Sequence, residues 1–105
     1  MDLHEKLESL LIDGDDSAVL RFGIASSYLK KEDFESACLH LEIAIKLDPS
    51  YSAAWKLLGK AQTSLGLYEA ATDTYTNAIS IAKKNGDIQS TKEMKVFLSR
   101  LKKLY

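Results

Sequence analysis

Laid over itself with an offset of 34 residues, the chain matches class for class. Ile24 meets Leu58, Ala25 meets Gly59, Phe34 meets Tyr68, Ala37 meets Ala71, Leu41 meets Tyr75, Ala44 meets Ala78, Ile45 meets Ile79 and Leu47 meets Ile81. Small residues fall on small, and large apolar on large. A unit of that length cannot bury an apolar face alone and must stack on its neighbour. The period inside each unit is helical. Leu20, Ile24 and Tyr28 form one stripe and Phe34, Ala37, Leu41, Ala44 and Ile45 a second, with the polar Lys30-Lys31-Glu32-Asp33 between them. The second stripe stops at Asp48-Pro49, since proline lacks an N–H and disfavours helix in the residue before it. Ser50 or Ser52 is expected to cap the next helix, which runs through Trp55, Leu58 and Gln62 to Gly66. Another covers Tyr68 to Lys84, and a last one spans Asp87 to Lys103. Ahead of the repeats, Leu3, Leu7, Leu10 and Leu11 predict a helix over 2–12, ended by the turn Asp13-Gly14-Asp15-Asp16, which also offers a new cap. No alternating β-branched stretch competes, so the expected fold is all-α.

Trp55, Leu58 and Gly59, followed by Tyr68, Ala71, Tyr75 and Ala78, form a pattern that resembles the tetratricopeptide repeat (TPR), as do Ala25, Tyr28, Phe34, Ala37, Ala44 and the closing Leu47-Asp48-Pro49. The resemblance implies an α-solenoid of antiparallel helix pairs, A and B. It divides a single TPR domain over 1–105 into an N-terminal helix (1–16), a first repeat (18–51), a second repeat (52–85) and a C-terminal capping helix (86–105). Gly59, Ala71 and Ala78 leave room for close helix axes, and Trp55 and Tyr75 are expected to fill the space between them. Three departures stand out: Arg21 in place of the first Trp, Gln62 in place of the second tyrosine, and Lys83 in place of the second proline. The last helix departs most. A strict 34-residue offset would bury Gln89, Lys92, Glu93 and Val96, whereas its apolar stripe is Met94, Phe97, Leu98 and Leu101. With that stripe inward, the partner-facing side would carry Lys92, Lys95, Val96, Ser99, Lys102 and Lys103. The alternative is that these lysines are a solvated face beside the helix C-terminus.

What the resemblance implies for function is a non-enzymatic binding scaffold whose concave A-helix surface holds a protein or peptide. The corresponding positions are Val19, Phe22, Ser26, Leu29 and Lys30, then Ala53, Lys56, Leu57, Lys60 and Thr63, with Lys92 and Lys95 added from the last helix. Phe22 and Leu57 would anchor apolar side chains, and Lys56 and Lys60, one turn apart, would grip carboxylates. Phe22 could instead be covered by the first helix. The dicarboxylate clamp of some TPR domains is not matched. Its five positions hold Phe22, Ser26, Leu57, and Asp87 and Thr91, or Lys92 and Val96 in the shifted register.

Charge narrows the partner. The 105 residues carry a net charge of −1, but residues 1–52 hold −6 and residues 53–105 hold +5. A balanced total argues against a nucleic-acid binder, while the polarity offers an alternative function, homo-oligomerisation through the terminal helices as a weak homodimer. No apolar run is long enough to span a bilayer. Cys38 is the only cysteine, so no internal disulfide forms, and a free thiol fits the cytoplasm. Catalysis is not expected, because no triad, metal-ligand cluster or phosphate loop is present, and no cofactor is called for. His40, between Leu39 and Leu41, is expected at the outer surface. Asp13 to Asp16 is read as a turn, since Ala18 and Ile24 stand where a calcium loop needs glycine and glutamate.

Overall fold

The computed structural model describes residues 3–12, 14 and 16–104. Among them the chain forms α1 (Leu3–Ile12), α2 (Ala18–Lys30), α3 (Phe34–Leu47), α4 (Ser52–Ser64), α5 (Tyr68–Lys84) and α6 (Ile88–Lys102), and no strand. Short polar side chains start three of these helices. Ser17 accepts from the N–H of Leu20, Asp33 from that of Ser36 and Asp87 from that of Ser90, where first-turn donors have no intrahelical partner. The cap expected between residues 13 and 16 is therefore Ser17. Gly14 turns the chain with φ +90°, and Asp13 and Asp15 lie outside the described residues. Neither Ser50 nor Ser52 caps α4. That helix follows Tyr51 with no side-chain cap, and Ser50 Oγ donates to Asp48 Oδ1 instead.

One turn recurs three times. Asp33 N–H donates to Tyr28 O, Leu67 to Gln62 O, and Asp87 to Ala82 O, each closing over a left-handed residue: Glu32 (φ 58°), Gly66 (76°) and Gly86 (74°). Glycine takes this conformation freely, whereas Glu32 holds it against a Cβ clash of about 1–2 kcal/mol.

Consecutive helices pack in order, α2 on α3, α3 on α4, α4 on α5 and α5 on α6, with α1 laid on α2. Two apolar clusters result, one around Ala25, Leu41 and Leu58 and one around Ala71, Tyr75 and Met94. The two repeats solve the same contact with different sizes. Ala25 and Leu41 in the first correspond to Gly59 and Tyr75 in the second. A Cβ on Gly59 would stand 2.6 Å from Tyr75 Cε1, so the ring occupies the space that a methyl would need. A second pair swaps chemistry. Tyr28 stacks on His40 with centroids 5.5 Å apart, while the equivalent Thr74 hydroxyl donates to Gln62 Oε1 at 2.6 Å. Trp55 differs from expectation. It is only half-buried, and its indole N–H donates to Pro49 O at 2.9 Å, anchoring it on the turn before α4. Likewise the stripe of α1 is only half used, with Leu7 and Leu11 half-buried but Leu3 66% exposed.

The register of α6 follows from one substitution. Lys83 stands 34 residues after Pro49, so nothing stops α5 where α3 stops, and α5 runs 17 residues against 14. Gly86 then ends it, and α6 begins at Ile88 rather than 86. Thr91, Met94 and Leu101 are buried, with Phe97 and Leu98 half-buried beside them, so the apolar stripe faces inward. Counted from the helix starts, α6 is displaced by two residues from the 34-residue period.

Candidate functional site

Counted from their first residues, Ala18, Ser52 and Ile88, helices α2, α4 and α6 present equivalent side chains. The fifth residues are Phe22, Lys56 and Lys92, the ninth Ser26, Lys60 and Val96, and the twelfth Leu29, Thr63 and Ser99. Val19, Lys30, Ala53, Lys60 and Lys92 are exposed, and Phe22, Ser26, Leu29, Lys56, Leu57 and Thr63 are half-buried. The surface is therefore graded, with cations and small groups outermost and the apolar residues rooted in the core. Phe22 stacks on Tyr51 at 5.2 Å and packs against the first cluster, as do Leu29 and Leu57. Ser26 and Thr63 turn inward, donating to the carbonyls of Phe22 and Gly59.

Lys95 falls elsewhere. It is the eighth residue of α6, equivalent to Ala25 and Gly59, the buried contacts between each A helix and its B helix. No helix follows α6 among the described residues, and Lys95 is exposed beside Lys83, Ile88, Thr91 and Lys92. Grouping Lys95 with the partner-facing lysines takes the stripe Met94, Phe97, Leu98 and Leu101 as a five-residue displacement from the strict offset, whereas α6 is displaced by two.

Two residues outside the expected groove set shape this face. Glu93 of α6 pairs with Lys56 of α4, and Phe97 lies under Lys60, whose Nζ is 5.2 Å from the ring centroid. The two lysines expected to act together are thus separated in role. Lys56 is already paired, and its ammonium, with help from Gln89, holds the Glu93 carboxyl below its ordinary pKa. Lys60 has no carboxylate within ion-pair distance among the described residues. Counting from the cap Asp87 makes Glu93 the sixth residue of α6, equivalent to Leu57 of the groove set.

At the other end, α1 covers part of α2. Leu7 reaches the position a Cβ on Gly23 would touch at 3.4 Å, His4 Nδ1 hydrogen-bonds Ser27 Oγ at 2.8 Å, and Tyr28 donates to Glu8 Oε1 at 2.9 Å. Ser26 and Lys30 line a hollow shared with Leu3 and His4. The A-helix face is consequently most open along α4 and α6.

His40 is buried, contrary to its expected place at the outer surface, because Arg21 and Tyr28 supply the partners that Leu39, 57% exposed, does without. Arg21 bridges Asp16 and His40, lying 2.9 Å and 3.0 Å from them. A guanidinium only donates, so His40 Nδ1 accepts and the ring is neutral. Burial first, then the Arg21 charge and His4, hold its pKa below the ordinary histidine value, with Glu8 and Asp16 pulling the other way. The unfolded chain takes up that proton near pH 6.5. The contribution to stability is then whole above about pH 6.5 and is lost as pH falls toward the lower folded value. Between pH 7 and 5.5 the urea midpoint should fall more steeply for the wild type than for His40→Gln, and parallel slopes would contradict the buried neutral ring. Cys38 is no nucleophile in this setting, since burial and then Glu42 push its thiol up to about 11. Among the described residues, no group of His, Cys, Asp and Glu could hold a metal ion, and no helix is long and apolar enough to cross a membrane.

Family models described as tetratricopeptide repeat match residues 18–51 and 54–89. The chain is 44% identical over 97 residues to "TPR repeat-containing protein PA0015" of Pseudomonas aeruginosa, covering 92% of each. It is also similar to the solution structure of protein BPP2914 from Bordetella parapertussis, at 38% identity, TM-score 0.85, and coverage of 98% of this chain and 90% of that one. The structure described as "TPR2B-domain:pHsp70-complex of yeast Sti1" matches with TM-score 0.89 at 18% identity, over 97% of this chain and 82% of that one, a likeness of fold.

Proposed function

The chain belongs to the tetratricopeptide repeat family, whose domains are protein-interaction modules, and from that premise we propose that the face formed by α2, α4 and α6 holds a segment of another protein. The observation that carries this reading is the alignment of equivalent positions on the three helices, which brings exposed Val19, Ala53, Lys60 and Lys92 onto one face above half-buried Phe22 and Leu57. Apolar anchors ringed by cations suit a segment mixing apolar and acidic side chains. Lys56 is a weaker candidate than Lys60 for gripping a carboxylate, because an incoming acid must first displace Glu93. A reducing compartment such as the cytoplasm agrees with the buried free thiol of Cys38.

Self-assembly through the terminal helices has less support. Continuing the stack beyond α6 needs a small eighth residue such as Ala25 or Gly59, and Lys95 occupies that place.

The test compares capture of cellular proteins by the wild type, by a groove variant (Val19→Asp, Ala53→Asp, Lys60→Glu) and by an outer-face variant (Glu42→Ala, Thr76→Ala). All five positions are exposed, so both variants should keep the fold. Partners held by the wild type and the outer-face variant but released by the groove variant are the expected result. Equal retention by both variants would place the binding surface elsewhere.

A further inference from the structure

At the C-terminal halves of α4 and α6 the open face deepens into a hollow of about 430 Å³. Its floor is apolar. Tyr75 and Leu101 are buried there, Phe97 packs against Tyr75 with ring centroids 5.7 Å apart, and Leu104, 59% exposed, forms one wall. Its mouth is cationic, with Lys60 over the Phe97 ring at 5.2 Å and Arg100 on the opposite helix. No carboxylate lies within ion-pair distance of either cation among the described residues. Lys60 feels Glu93 only beyond ion-pair distance, so a greasy floor beside cations with no direct carboxylate partner suits a large apolar side chain with an anion next to it.

We propose that this hollow takes an extended peptide segment carrying a large apolar side chain with an acidic side chain two residues away, the apolar group against Leu101 and Leu104 beside Phe97 and the carboxylate at Lys60 and Arg100. In an extended chain, residues two apart point the same way at a separation of about 6.6 Å. The Lys60 ammonium, 5.2 Å from the Phe97 ring centroid, stands within that reach of the apolar floor. Adjacent residues would point to opposite sides and could not satisfy both halves. Lys56, occupied by Glu93, adds no competing anion site on this stretch. The inference rests on the groove reading and narrows it to one subsite and one class of segment.

The experiment is a titration of the isotope-labelled protein, followed by backbone amide shifts, with blocked pentapeptides. The first has the order glycine, leucine, serine, glutamate, glycine. In others alanine replaces the leucine, or glutamine or lysine the glutamate. Saturable shifts centred on Lys60, Ser64, Phe97, Arg100 and Leu104 are expected with the first peptide. Loss of the leucine should weaken binding about tenfold through lost apolar contact, and loss of the charge about threefold. Lys60→Glu combined with Arg100→Glu, both exposed positions, should invert the preference between the glutamate and lysine peptides, and an unchanged amide spectrum elsewhere reports an intact fold. Shifts confined to Phe22, Lys56 and Lys92 would overturn this inference and leave the groove reading standing. Equal binding of all peptides, or none, would overturn it too. The groove reading itself fails only if the groove variant keeps its captured partners.

Discussion

Replacing Tyr75 by alanine should lower the free energy of unfolding by about 3–5 kcal/mol, the range for removing a buried aromatic ring. Tyr75 is 2% exposed and sits where α4, α5 and α6 meet, against Gly59, Phe97 and the second apolar cluster. Burial pushes its phenol up to about 12, with the Thr63 hydroxyl drawing it partly back, as suits a ring held out of water. On the α4 side the void faces Gly59, which has no side chain to fill it. Domains of this size are stable by only about 5–15 kcal/mol, so the variant should lose a large share of its stability. Urea denaturation of the wild type and the variant reads the difference. A loss under about 1 kcal/mol would mean that the ring is not a core residue.

Met94→Ala should cost about 2–4 kcal/mol and Val96→Ala less than about 0.5 kcal/mol. The two positions lie two residues apart on α6, yet Met94 is fully buried against α5 and Val96 is 48% exposed. The contrast tests the register directly. With an unshifted 34-residue repeat, Val96 would be the buried member, so a reversed order of losses would show that α6 does not begin where Asp87 caps it. Loss of Met94 should also free the Lys56–Glu93 pair, since α6 is held on α5 chiefly by Met94, Leu101 and the half-buried Phe97 and Leu98.

Much of this was legible in the chain. The 34-residue period and the coincidence of small residues gave the helix pairs, and the shared places of Ala25 and Gly59, or Ala37 and Ala71, gave the nested contacts. What escaped notice depended on pairs rather than on single residues. His40 looked like a surface residue between two leucines, and only Arg21 and Tyr28 together explain why it is inside and Leu39 outside. Lys56 and Lys60 looked like twins, and it takes Glu93 and Phe97 on another helix to separate them. Trp55 looked like filler, but its indole N–H finds a carbonyl in the preceding turn and keeps one side of the ring in solvent. The signal for α6 was present in the chain: Lys83 for the proline, then Asn85-Gly86-Asp87 as stop and cap. A fixed period hid it, since one longer helix displaces everything after it.

The two hairpins are one structural unit built twice, and a double-mutant cycle across the size-matched pair measures that most directly. Gly59→Ala alone forces a methyl into the Tyr75 ring and should cost about 1–3 kcal/mol, less up to about 1 kcal/mol from better helix propensity. Tyr75→Leu alone leaves a gap worth about 2–3 kcal/mol. Together they rebuild in the second repeat the alanine and leucine that Ala25 and Leu41 already supply in the first. The double variant should therefore lose at least about 1 kcal/mol less than the two single losses added. Strict additivity would show that Gly59 and Tyr75 do not share a contact, and would contradict the nesting on which the arrangement of α2, α4 and α6 depends.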